Sequence, residues 1–173
     1  EIIDNKEANA VNKLFKNENS ILFAHGFDSL RKRYHVRELE KNFNKKLKNK
    51  YTLAVSSGTA AIKIALLGIG VKKGDEVITQ AFNFIATIEA ILDIGAIPII
   101  AGIDKTLNID PGKIEKLITK KTKAIIPVHM LGVPANMDAI LYIAKKYNIR
   151  VLEDNCEALG GKYKKKYLST IGD

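Results

Sequence analysis

Short apolar runs alternate with helical patterns from residue 53 to residue 152, and this alternation constrains the fold more than any other feature of the sequence. The connections are short, which is typical of βαβ units and predicts a mostly parallel sheet with helices on both faces. The runs are apolar on both sides, as expected for strands covered on both faces. The predicted strands are residues 53–55, 76–79, 97–100, 124–128 and 149–152, and the predicted helices are residues 60–67, 84–94, 111–119 and 137–147.

Local signals refine this pattern at several positions. Apolar side chains recur every three or four positions in residues 36–47, which predicts a further helix. Asp110 and Pro111 suit the N-cap and the first position of a helix. Pro98 lies inside a predicted strand, which favours an edge strand or a bulge because proline donates no N–H. Residues 21–34 are predicted to be irregular.

The composition is that of a globular protein. Of 173 residues, 46% are hydrophobic and 27% are charged, which argues against intrinsic disorder. No apolar run reaches the roughly 18 residues of a membrane helix, and the acidic start of the sequence shows no secretory signal. The lone Cys156 excludes an internal disulfide framework and a multi-cysteine metal site. We therefore expect a cytoplasmic location.

The formal net charge of +9 is compatible with nucleic-acid binding. Only four of the 28 basic residues are arginines, the side chain that reads phosphates and base edges through paired hydrogen bonds. The lysines are spread along the chain, and their two dense stretches, residues 41–50 and 162–166, are first interpreted as solvated faces. A Lys-rich nucleic-acid-binding module stays open as an alternative from a different functional class.

Ligands of parallel sheets bind at the carboxyl ends of the strands. The segments that follow predicted strands are residues 56–59, 80–84, 129–132 and 154–157. The small residues Gly58 and Thr59 stand between a predicted strand and a predicted helix, where the free N–H groups of the first helical turn and the helix dipole suit a phosphate. The alternative is that Ser57 simply caps that helix.

Three other side chains at this edge are candidates for binding. Asp154 ends a buried strand and needs donors or a cation such as a protonated ring nitrogen, unless it only caps the next turn. Its neighbour Glu153 is expected to face solvent. Phe84 could lie flat on a planar ligand or belong to the core. His129 could bond a ligand or only the local backbone, and no metal-ligand spacing links the three histidines.

Five short motifs, taken in order, resemble those of a known family. They are Ser56-Ser57-Gly58-Thr59-Ala60-Ala61, Gly74-Asp75-Glu76-Val77-Ile78-Thr79, Gly95-Ala96-Ile97-Pro98, the segment KTKAIIPVH at 121–129, and Glu153-Asp154. Together they resemble the DegT/DnrJ/EryC1/StrS group of sugar-nucleotide enzymes over residues 26–173. The resemblance implies a three-layer α/β sandwich of the fold-type-I, aspartate-aminotransferase-like class, dependent on pyridoxal 5′-phosphate.

The resemblance also implies roles for individual residues. The backbone N–H groups that would hold the cofactor phosphate belong to Gly58, Thr59 and Ala60. Phe84 would stack on the pyridine ring, and the catalytic Asp154 would pair with the pyridinium nitrogen, which keeps the ring electron-withdrawing. Glu157 stands where the family commonly has Gln or His, on the 3′-hydroxyl side of the cofactor.

The activity that the resemblance implies is transfer of an amino group, with glutamate as donor, to a keto group of a nucleotide-linked sugar in cell-surface polysaccharide biosynthesis, by a homodimer. Glu157 resembles the 3-dehydratase branch, which stays as an alternative. The family places the deciding lysine, or the histidine of dehydratases, shortly after a Gly-Asp like that at 172–173. We therefore expect an N-terminal arm in residues 1–35 and an incomplete large domain in residues 36–173, inactive alone.

Overall fold

A computed structural model of the chain describes residues 3–17 and 34–173. The chain divides into two units, Glu1–Ala54 and Val55–Asp173. Nearly all of the segment predicted to be irregular, residues 21–34, lies outside the described residues. The predicted division into an arm of residues 1–35 and a large-domain portion of residues 36–173 stays a prediction.

The described residues of the first unit form two helices, α1 (Asn5–Asn17) and α2 (His35–Leu47). A reciprocal cap begins α1, because the Asp4 N–H donates to Glu7 Oε2 at 2.8 Å and Asp4 Oδ1 accepts from the Lys6 N–H at 2.7 Å. The predicted helix at 36–47 is confirmed as α2, and Lys48 ends it in a left-handed conformation.

The second unit is built on four parallel strands in the order β2-β1-β3-β4. They are β1 (Glu76–Gln80), β2 (Ile97–Ala101), β3 (Thr122–Ile126) and β4 (Arg150–Val151). The fifth predicted strand, residues 53–55, is wrong: these residues are irregular, and Leu53 is 69% exposed. A short apolar run becomes a strand only where a neighbouring strand completes its hydrogen bonds, and the described residues offer none there.

Helices cover both faces of this sheet, as predicted, and the fold is a three-layer α/β sandwich. Successive strand side chains point to opposite faces, so Val77 and Ile78 enter different cores. One core contains residues of α3 (Gly58–Gly68) and α4 (Ile85–Asp93). The other contains residues of α5 (Pro111–Ile114) and α6 (Met137–Tyr147).

The edge position predicted from Pro98 is confirmed, because β2 lies at the end of the sheet and pairs with β1. The N–H of Ile97 donates to Asp75 O at 2.8 Å, which turns the backbone of Ile97 toward β1. Hydrogen-bonding direction alternates along a strand. The nitrogen of Pro98 therefore faces away from β1, where its missing N–H interrupts no bond of the sheet.

The predicted helix at residues 111–119 carries the predicted cap but is shorter than expected. Asp110 accepts the Gly112 N–H at 2.9 Å and caps α5, with Pro111 in its first turn. The predicted helix at 111–119 is shorter, because a 3₁₀ turn, Glu115–Leu117, replaces its second half. A hairpin of β5 (Lys162–Tyr163) and β6 (Lys166–Tyr167) was not predicted. Among the described residues, no helix is long and apolar enough to cross a membrane.

Candidate functional site

Asp154 lies at the carboxyl edge of the sheet, beyond the end of β4. Its N–H donates to Pro127 O at 2.9 Å, and its carbonyl accepts the His129 N–H at 3.1 Å. These two bonds extend the pairing of β4 with β3 by a bridge between Val128 and Asp154. The backbone of Asp154 is therefore fixed by the sheet, which gives its side chain a defined origin.

The Asp154 carboxylate is half-buried and only partly satisfied. Oδ1 accepts the Cys156 N–H at 3.2 Å, so Asp154 does cap the following turn, and Oδ2 accepts the Thr87 hydroxyl at 3.1 Å. No basic side chain forms an ion pair with it in the part of the chain that the structure describes. A carboxylate can accept about four hydrogen bonds, so it retains the capacity to bind a cationic donor.

Cys156 lies two residues after Asp154 and is exposed. Partial burial of the thiol, and then the negative charge of Asp154, raise its pKa to about 11. The thiolate is the nucleophilic form of cysteine. Cys156 is therefore a poor nucleophile at neutral pH.

Glu153 was expected to face solvent, and this expectation is wrong. Its side chain is 3% exposed, and its Oε2 faces His129 Nε2 at 3.1 Å. The same carboxylate accepts the N–H groups of Ser169 at 3.1 Å, Ile171 at 2.8 Å and Gly172 at 2.8 Å. Burial raises the pKa of Glu153, but these bonds outweigh it and hold the pKa below its ordinary value.

His129 belongs to the interior of the fold. Its Nδ1 accepts the Ala135 N–H at 3.1 Å, so this nitrogen carries no proton and the ring is neutral. The proton lies on Nε2, which donates to Glu153. The His129 ring is fully buried and both nitrogens have partners, so the ligand interpretation is excluded. One partner is local backbone, as the alternative predicted, and the other is the distant side chain of Glu153.

Gln80 ends β1 beside this edge and is also fully used. Its Nε2 donates to the carbonyls of Phe82 at 2.9 Å and Leu107 at 3.2 Å. Its Oε1 accepts the N–H groups of Ile109 and Val128, both at 3.1 Å. Gln80 therefore links the ends of β1 and β3 to the loop at residues 107–109 and fixes the backbone at this edge of the sheet.

The turn before α3 is where the sequence predicts an anion site. Ser57 caps the helix, since its Oγ accepts the Ala60 N–H at 3.1 Å. The capping interpretation is therefore confirmed, and one of the three N–H groups assigned to a phosphate is already used. The N–H groups of Gly58 and Thr59 have no partner among the described residues. The helix dipole adds partial positive charge at this point.

Phe84 precedes α4 directly and is 72% exposed. The core interpretation is therefore excluded. An exposed aromatic ring one turn before Thr87, whose hydroxyl reaches Asp154, is available for a planar ligand. Whether it stacks on a cofactor stays a prediction.

Glu157 is exposed and bonds to the neighbouring loop. Its Oε2 accepts the Leu131 N–H at 2.7 Å. Leu131 has a φ of 52° and Gly132 a φ of 82°, so this loop adopts an uncommon left-handed backbone. Glu157 holds that backbone next to the turn that begins at Asp154.

A groove of about 520 Å³ runs between α3 and α4, lined by Thr59, Glu89, Leu92 and Asp93. Two carboxylates make it unsuitable for an anion, and Asp154 is not among its lining residues. The candidate site is therefore the open edge around Asp154 and Phe84 rather than this groove.

Thr87 is the residue that sequence reasoning missed. It occupies the buried face of α4, a helix that is otherwise almost entirely apolar on that face. Asn83 and Thr87 are four residues apart, and this spacing of polar groups in an apolar segment was the available signal.

A model of the DegT/DnrJ/EryC1/StrS aminotransferase family matches residues 11–173. The chain belongs to this family. The resemblance stated from the motifs is thereby confirmed, and the fold is that of the fold-type-I transferases.

Solved structures give the same result. The aminotransferase from Psychrobacter cryohalolentis is 35% identical with a TM-score of 0.89, and the match covers 99% of this chain and 42% of that one. NtdA from Bacillus subtilis, solved with the cofactor PMP, is 38% identical with a TM-score of 0.83, covering 93% and 36%. The GDP-4-keto-6-deoxy-D-mannose-3-dehydratase from E. coli, solved with hydrated PLP, is 32% identical with a TM-score of 0.85, covering 99% and 43%. The chain thus spans less than half the length of these relatives.

Proposed function

We propose that the protein is a pyridoxal-5′-phosphate-dependent aminotransferase that acts on a nucleotide-linked keto sugar. The observation that carries the proposal is the Asp154 carboxylate, which the sheet fixes at its carboxyl edge with accepting capacity left and no basic partner in the described chain. Family membership supports the reaction class, and two similar structures contain PMP or PLP.

The donor set of the edge fits this cofactor. Gly58 and Thr59 offer N–H groups at a helix N-terminus for a phosphate, and Asp154 offers a carboxylate for a protonated ring nitrogen. Phe84 offers an exposed ring for stacking. When bound, pyridoxal 5′-phosphate supplies an electron sink that stabilises negative charge at the Cα of the amino acid.

Each of these residues then has a distinct task. Asp154 keeps the proton on the ring nitrogen, because an anionic partner favours the charged form of the heterocycle. Gly58 and Thr59 hold the phosphate, and Ala60 joins them only if its bond to Ser57 is shared. Phe84 orients the ring by covering one face. Glu157 is placed by its bond to Leu131 next to the Asp154 turn, on the proposed 3′-hydroxyl side.

The proposed reaction exchanges an amino group of an amino acid, glutamate in our proposal, for the keto oxygen of the sugar. The amino acid leaves as a 2-oxo acid and the sugar as an amino sugar. The net charge of +9 would attract an anionic sugar nucleotide over long range. We also propose a cytoplasmic homodimer that serves cell-surface polysaccharide biosynthesis.

A 3-dehydratase is the second candidate, favoured by Glu157 and by the 32% identity with the E. coli 3-dehydratase. The two activities differ in the fate of nitrogen. A transferase moves nitrogen from glutamate to the sugar, whereas a dehydratase removes the 3-hydroxyl and leaves no nitrogen on the product.

The test uses the full-length protein loaded with pyridoxal 5′-phosphate and supplied with ¹⁵N-glutamate and 4-keto-6-deoxy sugars linked to dTDP, UDP or GDP. Mass spectrometry of the product should show an amino sugar that carries ¹⁵N. A 3-deoxy sugar without ¹⁵N would establish the dehydratase instead. Absence of cofactor binding, together with salt-dependent retention of DNA or RNA on filters, would replace both by the Lys-rich nucleic-acid-binding module.

A further inference from the structure

Thr87 is an isolated polar side chain on the buried face of α4. Thr87 is 1% exposed and therefore as buried as its apolar helix neighbours Ala90 and Ile91, which pack in the core. Its hydroxyl lies 3.1 Å from Asp154 Oδ2. Among the described residues, the Asp154 carboxylate receives two hydrogen bonds: this one on Oδ2, and one from the Cys156 N–H on Oδ1.

A chain of side-chain hydrogen bonds fixes where this hydroxyl lies. Thr79 donates its proton to Ile126 O at 3.0 Å, so its oxygen accepts from Asn83 Nδ2 at 3.2 Å. This orients Asn83 Oδ1 toward Thr87, at 3.3 Å. The Thr87 donor is thus connected to the ends of β1 and β3 through two side chains, and not only through its own helix.

The Thr87 hydroxyl has one proton and two acceptors within reach, Asp154 Oδ2 and Asn83 Oδ1. A carboxylate is the stronger acceptor, because hydrogen bonds to charged groups are shorter and stronger. The distances of 3.1 Å to Asp154 Oδ2 and 3.3 Å to Asn83 Oδ1 fit a shared proton, with the stronger bond to Asp154 when that carboxylate is ionised. This bond stabilises the ionised carboxylate and selects one rotation of its plane.

We propose that Thr87 is a positioning residue for Asp154, held by Asn83 and Thr79, which aims the ionised carboxylate at the ring nitrogen of the bound cofactor. The inference rests on the proposed function, since it assigns a cofactor partner to Asp154. Thr87 does not contact the cofactor itself; it acts through the carboxylate. Without it, Oδ2 loses its donor from α4, and the carboxylate can rotate away from the ring.

The experiment compares Thr87→Val, which removes the hydroxyl and keeps the branched shape, with Thr87→Ser, which keeps the hydroxyl. The control is Thr122→Val. Thr122 is 6% exposed and its hydroxyl also faces a carboxylate, Glu76 Oε2 at 3.3 Å, but at the start of β3. The full-length protein is loaded with ¹⁵N-labelled pyridoxal 5′-phosphate. The ring-nitrogen resonance and the cofactor Kd are measured across pH.

Thr87→Val should weaken cofactor binding about tenfold or more, the range for one hydrogen bond to a charged group. It should also move the ring-nitrogen resonance toward that of the unprotonated ring. Thr87→Ser should restore both within about threefold, and Thr122→Val should leave both unchanged. If Thr87→Val does not fold, the difference between Thr87→Ser and Thr87→Ala gives the same answer.

An unchanged resonance and Kd in Thr87→Val, with wild-type protein that binds the cofactor, would overturn this inference alone. The inference is also overturned if Thr122→Val shifts the resonance as much as Thr87→Val, because the effect would then come from a general loosening of the fold. Wild-type protein that binds no cofactor would overturn the proposed function and this inference with it.

Discussion

Glu153 and Asp154 are adjacent, yet the regions around their carboxylates differ in almost every respect. The Glu153 carboxylate is buried and receives four hydrogen bonds, three of them from the backbone at 169–172. The Asp154 carboxylate is half-exposed and receives two. The difference separates a carboxylate whose hydrogen bonds the chain completes by itself from one that receives only two from the described residues.

The alternation of a strand produces this contrast. Val151 packs in the core next to α6 and Leu152 against the core next to α3 and α4. Continuing with a period of two, Glu153 shares the face of Val151 and Asp154 the face of Leu152. One step along the chain therefore decides whether a carboxylate meets the interior or the open edge beside Thr87.

The largest effect is expected from Asp154→Asn in the full-length protein. Removing the negative partner of a protonated ring should weaken the cofactor by about 2–5 kcal/mol and abolish turnover. The measurements are a spectroscopic titration with pyridoxal 5′-phosphate and the ¹⁵N-transfer assay. Asp138→Asn is the control, because Asp138 pairs with Lys164 on an exposed surface. Wild-type affinity in Asp154→Asn would mean that the open carboxylate is not a binding group.

Glu153→Gln, unlike Asp154→Asn, should lower the stability of the fold more than the affinity for the cofactor. The amide puts two donors where the fold supplies N–H donors, so the free energy of unfolding should fall by about 3 kcal/mol. Urea denaturation measures this change. Glu157→Gln, with one hydrogen bond and an exposed side chain, should cost less than about 1 kcal/mol. Equal losses in the two variants would mean that the four hydrogen bonds of the buried Glu153 carboxylate do not set its contribution to stability.

The loss of stability at acidic pH gives a further test of the role of Glu153. The pKa of folded Glu153 lies below its ordinary value of 4.5, so below that pH the unfolded chain binds the proton more readily. The stabilisation by Glu153 is therefore complete above pH 4.5 and is lost as pH falls through the lowered pKa. Urea midpoints should fall more steeply with acid in the wild type than in Glu153→Gln. Parallel curves would contradict this assignment.

The smallest expected effect concerns Cys156, which reports on the charge of Asp154. Burial and the Asp154 carboxylate raise the thiol pKa to about 11, so alkylation by iodoacetamide at pH 8 should be slow. In Asp154→Asn one of these causes disappears, and alkylation should become several-fold faster, because the thiolate fraction grows as the pKa falls. A rate that is independent of this substitution would show that the Asp154 charge does not reach the thiol.

The sequence predicts the fold where the pattern is local and repeated. The strands and helices from residue 76 to residue 151, the cap at Asp110 and the edge position of Pro98 all follow from periodicity or from the chemistry of one residue. Residues 53–55 had the same apolar character, but a strand also needs a neighbour, which no local pattern reveals. The hairpin β5–β6 was not predicted, because its lysines make the segment resemble a solvated surface rather than a pair of strands.

The site was predicted in part. Asp154, Phe84 and the turn at Gly58 come from their places after strands and from motifs, and their roles toward the cofactor stay predictions. Glu153 and Thr87 could not be assigned in this way. The partners of Glu153 are 16–24 residues away in the sequence, and Asp154 is 67 residues from Thr87, so only the folded chain brings them together.

The outward-facing nitrogen of Pro98 has a consequence for association between molecules. An uncovered edge strand is a template on which a foreign chain can add, and each N–H that points outward strengthens that template. Pro98, the second residue of β2, removes one such donor, while Ile97 and Ile100 leave exposed apolar surface there. The proline thus disfavours the addition of a foreign strand to this apolar edge of the sheet, and with it aggregation.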